Sequence, residues 1–565
     1  AIPRMIFVNK LDKERSDFER TLEQLRDRFG AGIAPLELPI GSESGFKGIA
    51  DLLTDAAFVY RPDGSHTTEE IPDEMAELEH QVHDNLVEGI VVADDALMER
   101  YLEGDIPGFD ELEHALAHGV ASASVFPVVI GSAATGVGID RLADFLCEIG
   151  PSPADRPGAV VIAADTETEV KPDASAQPLA YVFKTIADPY VGQLSLFKVL
   201  SGTIRADEQM VNPSTGSAER LHGLFFLRGK DQVPTSQVSA GDLAAVAKLA
   251  NTRSGDTLTP KGTPVRVRPV EPPTPVYGIA IKARTQADDD KLGSALQRLM
   301  VEDPALVLER NDETHQTILR GTGDTHLAVT LERMARKFGV NVDVEDVRVP
   351  FRETVSGKAE AEGKYKKQSG GHGQFGVAWL RIEPLPRGSG FEFVDKIVGG
   401  AIPRQFIPAV QKGIEETMAA GGLHGFPVVD VRVECFDGKY HAVDSSEMSF
   451  KMAGSLGFKD AMAKAGVVVL EPVSILRVTV PSAYQGDVMG DINSRRGRVQ
   501  GTESLPDGEQ EVTALVPTAE ILRYAIDLRS MTGGRGRFVA AHDHYDILPS
   551  HLLDKAKATL AASHA

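Results

Sequence analysis

The chain has 565 residues, of which 42% are apolar and 25% charged, an ordinary balance for a soluble globular protein of roughly four domains. It lacks a run of about 18 apolar residues and a charged-then-apolar leader, and its two cysteines are far apart, which excludes a disulfide framework. We therefore expect a cytoplasmic protein. The formal net charge of −23 argues against general coating of nucleic acid, but it can hide local basic patches.

The first predicted strand, Met5 to Val8, is followed by Asn9-Lys10-Leu11-Asp12. This is the NKxD pattern of guanine recognition, because the carboxylate of Asp12 can accept both the ring N–H and the exocyclic amino group of guanine. Asn9 would fix the loop and reach the base edge, and the Lys10 stem would lie over the ring. A polar turn that caps the next helix is the alternative interpretation.

A second predicted strand, Val125 to Ile130, ends in Gly131-Ser132-Ala133-Ala134 and precedes a predicted helix from about Val137 to Leu146. This order is typical of a doubly wound nucleotide fold, and the loop resembles the SA loop whose backbone amides hold the guanine carbonyl oxygen. The sequence contains no GxxxxGK[ST] phosphate loop. We therefore expect the phosphate loop and the first strands of this fold to lie upstream of Ala1.

Proline-rich segments divide the rest of the chain. The first, Pro151 to Pro178, precedes short apolar runs up to about Val270 that predict a small β-barrel, and a second lies between Pro260 and Pro275. Residues 274–349 and 473–541 then each predict strand, helix, strand, strand, helix, strand, the order of a ferredoxin-like split βαβ fold. Its second helix is expected near 325–338 in the first copy and 518–530 in the second.

The stretch Gly363 to Gly376 is basic and glycine-rich within this acidic chain. Apolar and alternating flanks predict a long hairpin. Its lysines and glycine amides suit phosphate contacts, and Tyr365 and Phe375 suit base stacking. A solvated glycine-rich turn is the alternative interpretation.

In this order, NKLD, the SA loop, a barrel, two split βαβ domains and the hairpin sequence SGGHGQFG resemble the elongation factor G family. Further matching strings are GFKG from Gly45, GTGDTHL from Gly321, PFRET from Pro350, YHAVDSSEMSFK from Tyr440, SRRG from Ser494 and LRSMTGGRG from Leu528. The resemblance runs from Ala1 to about Ile547, almost the whole chain.

The resemblance implies a multidomain architecture of α/β, β-barrel and α+β parts. The implied domains are the C-terminal part of a P-loop GTPase domain at 1–160 with an acidic insertion at about 39–121, a β-barrel at 161–271, a ferredoxin-like domain at 272–349, an elongated α+β tip domain at 350–471, and a second ferredoxin-like domain at 472–565.

The resemblance also implies a ribosome-dependent GTPase that acts in tRNA and mRNA translocation or in ribosome recycling. The implied nucleotide is GTP or GDP, with Mg²⁺ bound only by the upstream part, so this chain alone is expected to be inactive. The implied partners are ribosomal RNA, the tRNA and mRNA at the decoding region, and the large-subunit stalk protein, which the acidic insertion faces. A monomer without membrane or metal sites is expected.

Site residues follow from the same resemblance. Those implied for guanine binding are Asn9, Lys10, Asp12, Ser132, Ala133 and Ala134. Those implied for RNA contact are Lys364, Lys366, Lys367, Ser369, Gly370, Gly371, His372, Gly373, Gln374, His441, Arg495, Arg496, Arg529 and Arg535. The implied tip loops are 369–376, 399–403 and the segment around His441.

The sequence departs from the family where Asp324-Thr325 replace the usual Glu-Leu, His372 a common arginine and Ala442 a frequent aspartate. These departures favour a diverged elongation factor G-like paralog. A tetracycline-type ribosomal protection protein and a non-hydrolysing guanine-nucleotide and ribosome binder are the alternatives. The motif around His441 and Asp444 could be mistaken for a hydrolase triad, but Asp444 with Glu447 is better suited to cap the next helix.

Overall fold

The computed structural model describes residues 2–91, 95–105, 108–163, 166–188, 192–368 and 373–561. The chain forms two compact units, which are Ala1–Ile186 with Val191–Pro269 and Ala187–Tyr190 with Val270–Ala565. Among the described residues, no helix is both long and apolar enough to cross a membrane.

The N-terminal region is an α/β arrangement with an insertion. Its elements are β1 (Ile6–Val8), α1 (Phe18–Phe29), β2 (Ile33–Pro35), β3 (Glu37–Ile40), β4 (Gly48–Asp51), β5 (Ala56–Tyr60), β6 (His66–Glu69), α2 (Ala76–Val91), α3 (Asp95–Leu102), α4 (Phe109–Ser122), β7 (Phe126–Ile130) and α5 (Ile139–Glu148). Strands β1 and β2 pair in parallel with β7 on either side, whereas β3 to β6 form a separate antiparallel sheet.

The insertion shares its core with the parallel sheet. Leu38 and Ile49 of the inserted sheet and Val129 of β7 are fully buried in one apolar cluster. Since burial of such side chains stabilises by about 1.5–3 kcal/mol each, the shared cluster fixes the insertion against the sheet that carries the two predicted guanine loops.

The second region consists of antiparallel strands. They are β8 (Ala159–Ala163), β9 (Thr166–Val170), β10 (Leu179–Asp188), β11 (Gly192–Ser201), β12 (Thr203–Arg205), β13 (Gln209–Asn212), β14 (Ser217–Arg220), β15 (Leu224–Arg228), β16 (Asp231–Thr235), β17 (Gln237–Ser239), β18 (Leu243–Ala247), β19 (Thr257–Leu258) and β20 (Val265–Val267). Six of them form a sheet in the order β16-β15-β18-β11-β10-β19. The apolar runs noted in the sequence fall in β10, β11 and β18, where Val182, Phe197 and Val246 are fully buried.

The next domain has the predicted split βαβ order. Its elements are β21 (Tyr277–Ala283), α6 (Gln286–Glu302), β22 (Val307–Asn311), β23 (Gln316–Gly321), α7 (Asp324–Phe338) and β24 (Val342–Glu345). The sheet order β22-β23-β21-β24 places the first and third strands in the centre, as in a ferredoxin-like fold.

The tip domain packs two long helices on a sheet. Its elements are β25 (Arg352–Val355), β26 (Ala359–Gln368), β27 (Gly373–Pro384), β28 (Phe391–Asp395), α8 (Ile407–Ala420), β29 (Val431–Lys439) and α9 (Glu447–Ala465). The sheet order is β26-β27-β29-β28. Phe450 and Phe458 of α9 are fully buried in the core of this domain, so α9 contributes large side chains to that core.

The last domain repeats the split βαβ order. Its elements are β30 (Val467–Pro481), α10 (Gln485–Ser494), β31 (Arg498–Ser504), β32 (Glu509–Pro517), α11 (Tyr524–Thr532) and β33 (Arg537–Ile547), followed by α12 (Leu553–Ala561). The helix expected from 518 begins at Tyr524 instead, because residues Thr518–Glu520 form a separate 3-10 turn after Pro517.

One strand is shared between the tip domain and the last domain. Residues 467–470 of β30 pair with β25, and residues 473–481 pair with β32. The opposite ladder to β33 covers residues 470–479. The domain boundary expected between residues 471 and 472 therefore falls inside a continuous strand.

Candidate nucleotide and RNA-binding residues

The two predicted guanine loops meet at one edge of the parallel sheet. They follow β1 and β7, and because these strands are parallel neighbours their carboxyl ends lie side by side. The Ser132 hydroxyl donates a hydrogen bond to Asp12 Oδ1 at 2.7 Å, and the amide N–H of Ala133 donates to Asn9 Oδ1 at 3.0 Å. Asn9, Lys10, Asp12, Ser132, Ala133 and Ala134 are called the base corner below.

Asp12 is oriented and kept anionic within the base corner. The Lys13 ammonium lies 2.8 Å from Asp12 Oδ2. This contact and the Ser132 hydroxyl lower the pKa of the Asp12 carboxyl, because both favour the charged form. An ionised carboxylate is an acceptor only, which is the state needed to receive two adjacent N–H groups.

The other base-corner residues occupy a tight and exposed turn. Lys10 has a φ of 67° with its side chain exposed, and its amide N–H donates to Asn9 Oδ1 at 2.8 Å. Ala133 and Ala134 are exposed, whereas Ser132 is fully buried. At Gly131 a Cβ would lie 2.3 Å from the Val137 carbonyl oxygen, so the close return of the chain requires glycine. Guanine contact by these residues stays a prediction.

A buried carboxyl group, Glu37, lies next to the base corner, and it was not identified from the sequence. Glu37 of β3 is fully buried, and its Oε2 accepts the amide N–H of Ile130 at 2.7 Å. Burial raises the pKa of Glu37 to about 8. Ile130 ends β7 directly before the SA loop, so Glu37 links the inserted sheet to that loop. The available signal was a single acid within the otherwise apolar sequence around Leu36 and Leu38.

The predicted hairpin is present as β26 and β27. Their pairing extends to Gln368 opposite Gly373, and Ser369, Gly370, Gly371 and His372 lie outside the described residues. Lys364, Lys366 and Lys367 are exposed, and among the described residues their side chains have no hydrogen bond or ion pair. Three free ammonium groups therefore lie along the end of this arm.

Two of the hairpin glycines pack against α9. A Cβ at Gly363 would lie 1.9 Å from the Ala453 carbonyl oxygen, and one at Gly376 would lie 2.9 Å from that of Ser449. Tyr365 is half-buried and packs against the core of the tip domain. The close approach of the hairpin strands to α9 therefore requires glycine at 363 and 376, and base stacking by the half-buried Tyr365 stays a prediction.

The segment around His441 contacts the hairpin directly. The amide N–H of Gly373 donates to Asp444 Oδ1 at 3.0 Å, and the His441 and Phe375 rings meet edge to face with centroids 6.4 Å apart. His441 is 57% exposed at its side chain. The expectation that Asp444 caps α9 is wrong, since Ser446 is the N-cap and accepts the amide N–H of Ser449 at 3.2 Å.

The predicted RNA-contacting arginines of the last domain have partners inside the protein. Arg496 forms a two-point ion pair with Glu471, at 2.6 and 2.8 Å, and contacts Glu520 at 3.1 Å. Arg495 pairs with Asp491 at 2.8 Å and with Asp527 at 3.0 Å. Both are less than one-third exposed. Their contact with RNA stays a prediction, and the geometry gives each an internal role.

The remaining two arginines are more open. Arg529 donates from Nη2 to the Thr322 carbonyl oxygen at 2.7 Å and so joins the last domain to the loop that precedes α7. Arg535 is exposed, donates to the Tyr484 hydroxyl and lies over its ring at 4.9 Å. The exposed guanidinium of Arg535 therefore retains donors for an outside partner.

Comparisons with known proteins agree with this arrangement. Four family models match, namely Elongation factor G domain 2 over residues 177–261, Elongation Factor G, domain III over 272–346, Elongation factor G, domain IV over 347–466 and Elongation factor G C-terminus over 468–556. A crystal structure of a protein from Thermus thermophilus is similar, with 35% identity, a TM-score of 0.70, and coverage of 99% of this chain and 81% of that chain. The chain belongs to the elongation factor G family of translation factors.

Proposed function

We propose that the protein is a ribosome-associated translational GTPase of the elongation factor G type. It couples hydrolysis of GTP to movement of tRNA and mRNA, or to recycling of the ribosome, as a cytoplasmic monomer. The observation that carries the proposal is the base corner, where Ser132 orients Asp12 at 2.7 Å and Asn9 receives the Ala133 amide at 3.0 Å. Loops more than 100 residues apart in sequence meet there through these two hydrogen bonds.

In this proposal each base-corner residue has a distinct role. Asp12 accepts the ring N–H and the amino group of guanine, a pair that adenine does not present together. The Lys10 stem covers one ring face. Asn9 fixes the loop, and we assign the contact with the guanine carbonyl oxygen to the Ala134 amide, since the Ala133 amide is already donated to Asn9.

The RNA side of the proposal rests on the tip domain. The exposed ammonium groups of Lys364, Lys366 and Lys367 and the exposed His441 lie at one end of the tip domain, in a chain with a formal net charge of −23. Phosphate contacts by lysine supply affinity without requiring a specific sequence. Ribosomal RNA and the tRNA and mRNA complex are the partners proposed for this end, and the stalk protein is proposed for the acidic insertion.

Hydrolysis requires groups that residues 1–565 do not contain. The sequence holds no GxxxxGK[ST] loop, which in P-loop enzymes cradles the phosphates and helps to hold Mg²⁺. We therefore assign turnover to the intact protein and expect residues 1–565 alone to be inactive. The departures at Asp324, His372 and Ala442 support a diverged paralog.

The decisive experiment is GTP turnover by the intact protein with and without ribosomes. We expect strong stimulation by ribosomes, and its absence would contradict the proposed GTPase. Nucleotide and ribosome binding without turnover would identify a non-hydrolysing binder. Release of tetracycline from ribosomes would identify a protection protein, and a comparison of translocation with subunit splitting separates the two proposed roles.

Base selection is tested by Asp12→Asn in the intact protein. The amide presents a donor where the carboxylate accepted, so GTP affinity should fall by roughly a hundredfold or more for two lost charge-assisted hydrogen bonds. Xanthosine triphosphate, which carries a carbonyl in place of the amino group, should bind better to the variant than to the wild type. The matched control is Asp27→Asn, an exposed position on α1, and equal effects of both variants would reject the role of Asp12.

A further inference from the structure

Three hydrogen bonds join the first residues of β27 to the loop before α9. Asp444 Oδ1 accepts the amide N–H of Gly373 at 3.0 Å. The Asp444 carbonyl oxygen accepts the amide N–H of Phe375 at 2.8 Å, and the Ser445 hydroxyl donates to the Phe375 carbonyl oxygen at 2.8 Å. These bonds connect segments about 70 residues apart in sequence, and we call them the tip clasp.

The tip clasp also orients His441. The amide N–H groups of Val443 and Asp444 both point at His441 Nδ1, at 3.4 and 3.2 Å, while the His441 amide donates to the Ser445 hydroxyl at 2.8 Å. The Asp444 Oδ2 atom lies 3.3 Å from the same Nδ1, so amide groups and a carboxylate together hold this edge of the ring. The His441 side chain, 57% exposed, is therefore held in place while it remains open to an outside partner.

The Asp444 carboxylate is available for this role because it does not cap the helix. Ser446 caps α9, and apart from the Gly373 amide the carboxylate approaches the His441 ring at 3.3 Å. The fit is close, since a Cβ at Gly373 would lie 3.0 Å from Asp444 Cγ. Because residue 373 is glycine, the strand backbone can approach the Asp444 side chain closely enough for the Gly373 amide to donate to it.

We infer that Asp444 is a positioning residue that fixes the start of β27 against the His441 segment, so that Gln374 and His441 form one RNA-contacting surface. This inference rests on the proposed function, in which the end of the tip domain meets RNA. Asp444 contacts no RNA itself in this scheme. It acts through the Gly373 amide and through the loop that orients the His441 ring.

The acceptor oxygen and the charge of Asp444 can be separated by two variants. Asp444→Asn retains an oxygen in the place of Oδ1, so the Gly373 amide keeps its acceptor. Asp444→Ala removes it and leaves that amide without its partner. Asp460→Ala is the matched control, because Asp460 is an exposed carboxylate of the same domain, paired with Lys464 one helical turn away.

The test measures single-round tRNA and mRNA movement, ribosome-stimulated GTP turnover, and amide hydrogen exchange in residues 373–376, all in the intact protein. For Asp444→Ala we expect movement to slow about tenfold, the size expected when a hydrogen bond to a carboxylate is lost. Exchange at Gly373 should accelerate. The half-saturating ribosome concentration and the thermal unfolding midpoint should stay near wild type, and Asp444→Asn and Asp460→Ala should stay within about twofold of wild type.

Three results would overturn the inference. One is wild-type movement and exchange in Asp444→Ala, and another is a defect in Asp444→Asn equal to that in Asp444→Ala, which would assign the effect to charge. The third is a fall in both the unfolding midpoint and the ribosome affinity of Asp444→Ala, which would show that the tip clasp only stabilises the domain. If ribosomes do not stimulate GTP turnover by the wild-type protein, the proposed function is contradicted instead. Amide exchange in the two Asp444 variants would then still decide whether Asp444 fixes the start of β27.

Discussion

The basic residues of the hairpin and those of the last domain look alike in sequence but differ in structure. Lys366 and Lys367 are exposed and have no partner within the described part of the chain. Arg495 and Arg496 each contact two acidic side chains. The comparison shows that a basic cluster indicates an outside partner only when its charges are not already compensated inside the fold.

The difference follows from side-chain chemistry. A guanidinium offers five donors in a planar fork and pairs readily with two carboxylates, whereas an ammonium on a flexible stem stays hydrated. Glu471, the partner of Arg496, is only 4% exposed at its side chain, and a buried carboxylate must be paired. The main role of Arg496 is therefore to stabilise the last domain.

The largest effect is expected for Arg496→Ala. The variant leaves Glu471 buried without its two-point partner, which should cost roughly 3 kcal/mol of unfolding free energy. Chemical denaturation of the intact protein measures this loss. The control is Arg498→Ala, an exposed arginine on β31, which should change stability by less than about 0.5 kcal/mol. Unchanged stability together with weaker ribosome binding would make Arg496 an RNA ligand.

An intermediate effect is expected for the double variant Lys366→Glu and Lys367→Glu. Ribosome affinity at low salt should fall about tenfold, and the slope of log affinity against log salt should decrease by one to two units or so, because fewer phosphate counterions are released. Titrations at several salt concentrations provide both values. Lys412→Glu with Lys459→Glu is the matched control, since both lysines are exposed on helices of the same domain. Equal losses of ribosome affinity in both double variants would show that the effect depends only on net charge.

The smallest effect is expected for Arg529→Ala. The loss of its hydrogen bond to the Thr322 carbonyl oxygen should destabilise the contact between the two split βαβ domains by about 1 kcal/mol. A small decrease in the thermal unfolding midpoint checks this. If stability is unchanged and ribosome affinity falls in a salt-dependent manner, Arg529 contacts RNA phosphates, as is proposed for the hairpin lysines.

Much of the fold could be predicted because local patterns and topology agree. Hydrophobic periodicity predicted the order of strands and helices along the chain in the two split βαβ domains. Helix α7 begins within one residue of its expected start. The shared strand β30 could not be predicted, because Pro472 lies at a natural breakpoint. The strand continues through it beside a register shift at Val473 and Ser474, a position where proline is tolerated.

The base corner was predictable because its two motifs follow parallel strands, whose ends meet by topology. The tip clasp was not, since Asp444 and Ser446 both match a capping pattern and only the position of the hairpin distinguishes them. The partners of Arg496 were hidden for a similar reason, because Glu471 and Glu520 lie more than 20 residues away on either side. Long-range pairing of charges leaves no local signal.

The shared strand β30 has a mechanical consequence. Every residue from Val467 to Pro481 pairs with at least one neighbouring strand, so no flexible linker separates the tip domain from the last domain. The arm cannot swivel at this joint without breaking ladder hydrogen bonds. The tip domain is therefore joined to the C-terminal sheet by a continuous, fully paired strand and not by a loop.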